Sequence, residues 1–548
     1  GQSVHRDEFG ISGGTFWSPD GKSLAYYRMD QSMVPSYPQV DIKANGPAEG
    51  ESRMAKTYSC HYPMAGENSH VVKVGVYNTE TKKNIWLDLV GEKDDYHTNV
   101  TWAPDGKSIY IFELNRDQNH MRLVQYDAQT GNVVRTVLEE KHDKYVEPMH
   151  PLAFLPWDDT KAVMQSQRDG YNHLYLLDLE KDELKQITMG KWVVQQFVGF
   201  NTMARRLIFR SNEADPRKSC LYSVKVSGGK RTPLGAQEGV CYQAQLSKSG
   251  AAVISAYTAP DVPRSINLLS TTTGKGSNIL TAKDTWKENG YCIPTFKSGS
   301  IKAADGITNL YYRMVLPSDF DEKKKYPTIV YVYGGPHAHL VDASWHWSSR
   351  GWETYMAQKG YIVFILDGRG SEWRGRDFEQ ATFRQLGTVE CQDQYKGVEY
   401  LMSLPYVDKD RMGVHGWSFG GFMTTNLMLT FPDVFKVGVA GGPVIDWNYY
   451  EVMYGERYMD TPEQNPEGYK NSNLRLRAGN LKGRLQLIIG YNDPVCVPQH
   501  TLSFIRACID AGTQCDYFLY PGGEHNMYGK DAVHLHERIT RYFEDYLK

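Results

Sequence analysis

The chain has 548 residues with 61 basic and 64 acidic side chains, so its formal net charge is only −3. This length exceeds what one hydrophobic core supports, and two or more domains are expected. The near balance of charge argues against a nucleic-acid or polyanion surface, which needs a clear excess of basic residues. No apolar run approaches the roughly 20 residues that cross a bilayer, so the sequence predicts no membrane span in this chain.

The cysteines and histidines indicate no metal site. Eight cysteines are scattered without a C-x-x-C pair, and no histidine cluster has the spacing of zinc ligands. We therefore predict no metal and no cofactor, while isolated disulfide pairs remain open. No signal peptide is visible, but Gly1 does not resemble a native start, so the missing leader says little about location.

A turn-and-strand motif repeats through the first 280 or so residues. Two copies are nearly identical, W-S-P-D-G-K-S from Trp17 and W-A-P-D-G-K-S from Trp102. Weaker copies begin near Phe154, Phe200 and Leu246. Alternating strands joined by Asp/Gly turns, about four per repeat, are typical of β-propeller blades.

The spacing of these copies adds two expectations. The first interval is longer than the later ones, so the segment 30–70 is predicted to insert an extra element between strands of the first blade. A propeller ring usually needs more than five blades, so further blades are expected before Gly1. The predicted first domain is a partial β-propeller over residues 1–296.

From residue 297 onward the pattern changes to strands that alternate with helices. Strand patterns cover Asn309–Leu316, 328–333 and 360–367, and helical patterns cover 349–359 and Val389–Ser403. This alternation predicts a mostly parallel sheet covered on both faces, with ligands bound at the carboxyl ends of the strands. The predicted second domain covers residues 297–548.

One stretch in this domain, Gly416-Trp417-Ser418-Phe419-Gly420, matches G-x-S-x-G, the nucleophile elbow of α/β-hydrolases. A strand-like run precedes it and an apolar, helix-forming run follows it, which is the context that the motif needs. The glycines let neighbouring backbone pass close by, and the turn exposes the serine hydroxyl at the strand end. Ser418 is therefore the predicted nucleophile of an α/β-hydrolase domain.

A serine hydroxyl needs a base and a third group that orients the base. In α/β-hydrolases the acid and then the histidine follow the serine along the chain. Asp493 follows the buried-strand pattern Arg484–Gly490 and is the predicted acid. His525 lies in the loop after the next strand and is the predicted base, whereas His534 and His536 fall in a helical stretch.

Two donors are predicted for the oxyanion. The backbone N–H of Phe419, directly after the nucleophile, is the first. The second donor of α/β-hydrolases comes from the end of another strand. There the sequence places Tyr333-Gly334-Gly335-Pro336, and the Tyr333 hydroxyl is the candidate.

The combined pattern resembles the prolyl oligopeptidase family of serine peptidases. The resemblance rests on a partial propeller followed by Y-G-G-P, G-W-S-F-G-G, an Asp after a strand and a late His. The run W-N-Y-Y-E-V-M-Y-G-E-R-Y from Trp447 is similar to the dipeptidyl peptidase IV branch. The run V-H-R-D-E-F-G from Val4 is most similar to bacterial prolyl tripeptidyl aminopeptidase.

This resemblance implies a triad of Ser418, Asp493 and His525, with Tyr333 completing the oxyanion hole. It implies a proline pocket lined by Trp447, Tyr450 and Tyr454 with Val444, because an aromatic box suits a flat apolar ring. It also implies that Glu8 and Glu451 hold the free α-amine of the substrate.

Two departures from the dipeptidyl enzymes are visible. Those enzymes have an adjacent pair of glutamates, whereas the matching segment here, Arg6-Asp7-Glu8, contains one. They also carry an Asn two residues after the triad Asp, and here that position is Val495. Both departures put strict dipeptide release in doubt.

The sequence thus predicts a serine exopeptidase that releases short N-terminal peptides after proline through an acyl-enzyme, with tripeptides favoured. A dipeptidyl peptidase, an acylaminoacyl peptidase or esterase, and a non-catalytic propeller scaffold remain as alternatives. By resemblance we expect peptide substrates with a free N-terminus, a homodimer, and a periplasmic, cell-surface or secreted location in a bacterium.

Overall fold

The computed structural model describes residues 8–547. Residues 4–7 of the V-H-R-D-E-F-G motif, including Arg6 and Asp7, lie outside the described part of the chain. The N-terminal half consists of four-stranded antiparallel sheets, and the C-terminal half contains one eight-stranded sheet with helices. All eight cysteines are free thiols, so none of the isolated disulfide pairs left open by the sequence is present.

Five four-stranded sheets follow one another along the chain, one for each predicted repeat. The first contains β1 (Thr15–Trp17), β2 (Ser23–Asp30), β5 (Val71–Asn78) and β6 (Asn84–Trp86). The others contain β7 (Tyr96–Trp102), β8 (Ser108–Leu114), β9 (His120–Asp127) and β10 (Val133–Lys141); β11 (Ala153–Leu155), β12 (Asp158–Ser166), β13 (His173–Asp178) and β14 (Glu183–Gln186); β15 (Val194–Asn201), β16 (Arg206–Ser211), β17 (Cys220–Lys225) and β18 (Thr232–Leu234); and β19 (Val240–Leu246), β20 (Ala252–Ala259), β21 (Val262–Ser270) and β22 (Gly276–Thr281). The predicted insertion in the first repeat is confirmed as a separate hairpin of β3 (Ser36–Asp41) and β4 (Lys56–His61).

The repeated motif forms a tight turn between the first two strands of a sheet. In the first copy the Asp20 carboxylate accepts hydrogen bonds from the Ser18 hydroxyl at 2.6 Å and the Lys22 N–H at 3.0 Å. Gly21 takes a positive φ of 70°, which glycine adopts without steric cost. The second copy's tryptophan, Trp102, donates its indole N–H to the Phe16 carbonyl of the preceding sheet at 2.9 Å.

Consecutive sheets bury their faces against each other. Val74 and Leu87 of the first sheet share one apolar cluster with Ile111 and Val124 of the second. Equivalent clusters join the second to the third, the third to the fourth and the fourth to the fifth sheet. This face-to-face order is the packing expected of successive propeller blades.

The eight-stranded sheet has the order β23-β24-β26-β25-β27-β28-β29-β30. Its strands are β23 (Thr295–Lys302), β24 (Asn309–Leu316), β25 (Tyr326–Tyr331), β26 (Ile362–Asp367), β27 (Val407–Trp417), β28 (Val437–Gly441), β29 (Arg484–Gly490) and β30 (Asp516–Tyr520). Only β24 runs against its neighbours, so the prediction of a mostly parallel sheet is confirmed. β23 begins at Thr295, two residues before the predicted domain boundary.

The helices whose bounds lie wholly within residues 8–547 follow the five sheets. They are α1 (Thr285–Glu288), α2 (Gly351–Gln358), α3 (Arg376–Glu379), α4 (Val389–Ser403), α5 (Phe419–Thr430), α6 (Val452–Met459), α7 (Pro466–Ser472), α8 (Gln499–Ala511) and α9 (Gly529–Leu547). Short 3-10 helices cover Trp345–Ser348, Gln380–Thr382, Trp447–Tyr449 and Leu474–Asn480. None of these helices is both long and apolar enough to cross a membrane.

Side chains of the central strands alternate between two buried clusters. On β25, Ile329 and Tyr331 pack in the cluster that contains α2 and α9, whereas Val330 packs in the cluster that contains α4 and α5. The sheet is therefore covered on both faces, as its near-continuous apolar strands require. β25 ends two residues earlier than predicted, because the chain turns away at Gly334, which has a φ of 78°.

A buried ion pair fastens the loop that follows this strand. Arg313 on β24 donates to both carboxylate oxygens of Glu353 on α2 at 2.8 and 2.9 Å, and both side chains are almost fully buried. The same guanidinium also donates to the Leu340 carbonyl and to the Ser348 hydroxyl. Arg313 thus ties the loop after Tyr333 to the sheet.

We predict that Arg313→Met lowers the free energy of unfolding by about 3–5 kcal/mol, because it leaves the Glu353 carboxylate buried without its partner. The double variant Arg313→Met/Glu353→Leu should recover most of this loss. The control, Lys482→Ala, breaks an exposed ion pair with Asp433 and should cost less than about 1 kcal/mol. Urea denaturation followed by tryptophan fluorescence measures all three, and equal losses for Arg313→Met and the control would contradict the prediction.

Candidate active site

The predicted nucleophile lies in a sharp turn between β27 and α5. Ser418 has φ 62° and ψ −119°, a left-handed conformation that non-glycine residues rarely adopt. Flanking glycines allow this turn, since a Cβ on either Gly416 or Gly420 would lie 2.2 Å from the Val332 carbonyl oxygen. The Ser418 N–H donates to the Gly441 carbonyl at 2.8 Å. Such backbone strain is found where the surrounding structure holds a functional side chain in place.

Asp493 and His525 meet at the ends of the two strands where the sequence placed them. Asp493 follows β29 and His525 follows β30, and the His525 Nδ1 lies 2.8 Å from the Asp493 Oδ2. The other carboxylate oxygen of Asp493 accepts the N–H groups of Val495 and Cys496, both at 2.8 Å. Asp493 is fully buried, and hydrogen bonds to both of its carboxylate oxygens hold it in one orientation.

The histidine is held from its other side as well. The Trp417 indole N–H donates to the His525 carbonyl at 2.9 Å. The imidazole ring lies against Gly442, where an added Cβ would be 3.2 Å from the ring carbon Cε1. Because Ser418 bonds to Gly441 and His525 packs on Gly442, both groups are fixed to the same strand end.

Tyr333 lies beside the nucleophile, directly after β25. Burial raises the pKa of Tyr333, and a hydrogen bond with Ser418 offsets part of that rise. The phenol is therefore protonated at neutral pH and can donate. Phe419, the other predicted donor, begins α5, and the first N–H groups of a helix have no acceptor within the helix. The rings of Tyr333 and Phe419 lie 6.0 Å apart.

The four predicted pocket residues pack together next to the elbow. Val444, Trp447, Tyr450 and Tyr454 are all buried in one cluster, which also contains Phe419. Trp447 and Tyr454 are stacked with ring centroids 5.8 Å apart, and Tyr450 meets Tyr454 edge-on at 5.3 Å. Trp447 has no exposed surface, so it supports the two tyrosines from behind. Among the described residues the buried Tyr454 hydroxyl has no hydrogen-bond partner.

The two predicted amine-binding acids come together although they are far apart in the chain. Glu451 caps α6, where its carboxylate accepts the N–H groups of Met453 and Tyr454 at 2.9 Å. Burial, and next to it the negative charge of Glu8, raises the pKa of Glu451 far above its usual range. Glu8 bonds Arg457, which lies on the helix that Glu451 caps, and after burial the charge of Glu8 also raises the pKa of Tyr333.

Arg457 is a site residue that the sequence reasoning missed. Its guanidinium donates to the Glu8 carboxylate at 3.2 Å and to the Glu8 carbonyl at 2.7 Å. It also donates to Gln118 and Glu147 from the preceding sheets. The signal was available, because a buried acid such as Glu451 requires a countercharge, and Arg457 lies in the same helix that Glu451 caps.

Cys496 and His337 were also missed. Burial raises the pKa of the Cys496 thiol, and a hydrogen bond with Ser418 opposes the rise, which places the thiol beside the nucleophile. Burial alone would lower the pKa of His337, but Glu147 and Glu372 outweigh it and raise that pKa well above its usual value. In residues 8–547 no group of His, Cys, Asp or Glu is arranged to hold a metal ion.

The elbow on this sheet, with an Asp–His pair at the next two strand ends, defines the protein as a serine-type α/β-hydrolase. Family comparisons cover both halves of the chain. Residues 1–264 match the dipeptidyl peptidase IV (DPP IV) N-terminal region, and residues 347–548 match the prolyl oligopeptidase family.

Solved structures and curated relatives agree with these matches. A Bacteroides ovatus ATCC 8483 protein, provisionally named a dipeptidyl aminopeptidase IV, is 53% identical, with a TM-score of 0.94 over all of this chain and 79% of its own. Porphyromonas gingivalis dipeptidyl peptidase 4 is 28% identical, with a TM-score of 0.91 over all of this chain and 76% of its own. The chain belongs to the prolyl oligopeptidase family of serine peptidases, in the dipeptidyl peptidase IV branch.

A provisionally named dipeptidyl-aminopeptidase B of Trichophyton verrucosum is 30% identical over 96% of this chain and 61% of its own length. A second relative of the same provisional name, from Aspergillus oryzae, is 30% identical over 96% of this chain and 61% of its own length. The chain thus spans about three fifths of the length of the curated relatives that it matches.

We predict that Ser418→Ala abolishes activity by several orders of magnitude without unfolding the protein, because triad members act as a unit. A fluorophosphonate should label Ser418 stoichiometrically, as read by mass spectrometry of the digested protein. The control, Ser371→Ala, changes a buried serine that bonds only the local Gly368 carbonyl and should leave labelling intact. Label on another serine in the wild type would disprove the assignment.

Removing one hydroxyl tests the oxyanion hole. Tyr333→Phe should lower kcat by about 10²–10³ with little change in KM, since the donor acts on charge that develops only in the transition state. Tyr331→Phe is the matched control, because that hydroxyl bonds Arg350 and the side chain packs in the other cluster. Steady-state kinetics on one substrate compares them, and an unchanged kcat for Tyr333→Phe would exclude this donor.

Proposed function

We propose that the protein is a serine exopeptidase that removes short N-terminal peptides after proline. The observation that carries the proposal is the position of Glu8, which accepts a hydrogen bond from Arg457 on the helix that Glu451 caps, next to the aromatic cluster of Tyr450 and Tyr454. A free α-amine is the group that such carboxylates bind, through charge-assisted hydrogen bonds of roughly 1.5–3 kcal/mol each. The name of the Bacteroides ovatus relative, a dipeptidyl aminopeptidase, agrees with an exopeptidase that acts at a free N-terminus.

The chemistry proposed for the triad follows from its geometry. His525, oriented by Asp493, takes the proton of the Ser418 hydroxyl as the oxygen attacks the carbonyl carbon of the proline residue. The Tyr333 hydroxyl and the Phe419 N–H donate to the oxyanion that forms. The imidazolium then protonates the leaving amine. In deacylation His525 takes a proton from the attacking water and returns it to the Ser418 oxygen as the acyl group leaves.

The residues proposed for the proline pocket have the matching polarity. Tyr450 and Tyr454 present ring surface with Trp447 behind them, and Val444 adds an aliphatic wall. A pyrrolidine ring is flat and apolar, so it gains from contact with such rings and loses little in desolvation. Trp447 packs against Phe419 with ring centroids 5.6 Å apart, which supports a pocket next to the reacting carbonyl.

The charges around the amine site favour a cationic substrate group. Arg457 is shared between Glu8 and Glu147, and burial raises the pKa of Glu451 to about 8. A substrate ammonium would supply the positive charge that stabilises a negative charge on Glu451. An N-acylated peptide brings no cation and would leave that charge buried without a partner. We therefore disfavour the acylaminoacyl peptidase alternative, and the intact Ser418, Asp493 and His525 disfavour a non-catalytic scaffold.

The length of the released peptide is the finer part of the proposal. We favour tripeptides, because Val495 replaces the Asn that dipeptidyl enzymes carry and offers no side-chain donor to a nearby substrate carbonyl. Dipeptide release is the second candidate, because the relatives are named dipeptidyl enzymes. Chromogenic Xaa-Pro and Xaa-Xaa-Pro substrates compared at equal concentration decide between the two.

Three further points of the proposal rest mainly on family resemblance. The five packed sheets form part of a β-propeller, and the domain boundary lies close to residue 296. The protein acts as a homodimer. Its location is periplasmic, at the cell surface, or secreted.

The amine site makes a direct prediction. Glu451→Gln and Glu8→Gln should each lower kcat/KM on free-amine prolyl substrates by roughly tenfold or more, if each loses about 1.4 kcal/mol of transition-state binding. N-acetylation of the substrate should cost the wild type far more than it costs the double variant. Glu467→Gln, at an exposed acid on α7, is the control and should behave as wild type. Equal turnover of acetylated and free substrates by the wild type would rule out the amine site.

A further inference from the structure

The hairpin inserted into the first propeller sheet contacts the loop that carries the catalytic acid. We call the segment 36–66, which contains β3, β4 and the residues that follow, the brace. The Gln39 side-chain amide donates to the carbonyls of Asn492 and Asp493 at 3.4 and 3.5 Å. In return the Asn492 amide donates to the Val40 carbonyl at 3.1 Å. Gln39 is buried, so these contacts are shielded from solvent.

A second contact of the brace reaches the turn that holds Asp493. The Tyr62 hydroxyl donates to the Val495 carbonyl at 2.7 Å, and Tyr62 is almost fully buried. The N–H of the same Val495 is one of the two groups that bind the Asp493 carboxylate. Tyr62 therefore fixes the peptide plane next to a hydrogen bond on which the orientation of the acid depends.

The end of the brace pairs with the segment that forms the substrate site. The Ala65 N–H donates to the Tyr450 carbonyl at 2.9 Å, and the Val452 N–H donates to the Pro63 carbonyl at 3.0 Å. These two bonds enclose Glu451 as a short antiparallel bridge. The Ala65 side chain also belongs to the apolar cluster of the proline-pocket tyrosines. One short segment thus contacts both the catalytic acid loop and the amine site.

We infer that the brace positions the catalytic acid, and that Gln39 and Tyr62 are positioning residues for the reaction. This inference rests on the proposed serine mechanism. The eight-stranded sheet contains no strand of the brace, so the brace contacts its loops without belonging to it. A displaced Asp493 would leave the imidazole free to turn, and misplacement by about 1 Å can cost on the order of 10²-fold in rate.

The test uses Tyr62→Phe, which removes one hydroxyl, and Gln39→Met, which removes the amide at similar length. Active sites are first titrated with a fluorophosphonate, so that kcat refers to competent molecules only. We expect kcat per titrated site, and the rate of labelling, to fall together by tenfold to a hundredfold, with KM within about twofold of wild type.

The matched control is Tyr27→Phe in the first propeller sheet. The Tyr27 hydroxyl is buried and has no hydrogen-bond partner among the described residues, so its loss should leave both rates unchanged. Thermal unfolding of every variant is recorded alongside. A role of Tyr62 and Gln39 in stability alone would lower Tm or the titrated fraction while kcat per site stayed at the wild-type value, and that result would overturn the inference.

The same measurements separate this inference from the proposed specificity. If the wild type reacts with the fluorophosphonate but cleaves no prolyl peptide, the specificity is wrong and the labelling rates still decide the role of the brace. If the wild type fails to react at all, the serine mechanism is wrong and the inference falls with it. Labelling rates of both variants within twofold of wild type would also overturn it.

Discussion

The backbone conformation of Ser418 is the constraint on which the site depends. A residue with a side chain and a positive φ costs on the order of 1–3 kcal/mol, and it persists only where the surroundings enforce it. Here Gly416 and Gly420 admit the Val332 carbonyl, and the Gly441 carbonyl accepts the Ser418 N–H. This conformation exposes the Ser418 hydroxyl at the end of β27, on the side where β29 and β30 end and Asp493 and His525 follow them.

A second part of the chain brings charged groups to this centre. The triad lies wholly on the loops of the eight-stranded sheet, whereas Glu8 approaches from before the first propeller sheet. Arg457 connects the two parts, because it bonds Glu8, Gln118 and Glu147 from a helix of the hydrolase half. The nucleophile and the acid proposed to hold the substrate amine therefore belong to separate elements that pack together through Arg457.

The sequence predicted the site where local pattern and chain order are informative. Ser418, Asp493 and His525 follow strands in the order that α/β-hydrolases use, and the structure brings Asp493 and His525 into contact. The five sheets and the presence of an insertion were also predicted. The contacts of the insertion were not predicted. The bond from the Tyr62 hydroxyl to the Val495 carbonyl joins residues more than 400 positions apart, and such a contact leaves no local signal in the sequence. Arg457 escaped notice because a charged helical residue is normally solvated, and only the assembled acids bury it.

The chain order of the site residues also has a consequence for synthesis. Domains generally fold as units while the chain is made from its N-terminus. A growing chain that already contains Ser418 still lacks its acid and its base, because both belong to later strand ends. Glu8 is made first, yet it acquires its partner Arg457 only after the elbow has been translated. In the order of translation the acid and the base of the triad therefore come last, after Glu8, Glu451 and Arg457 have all been made.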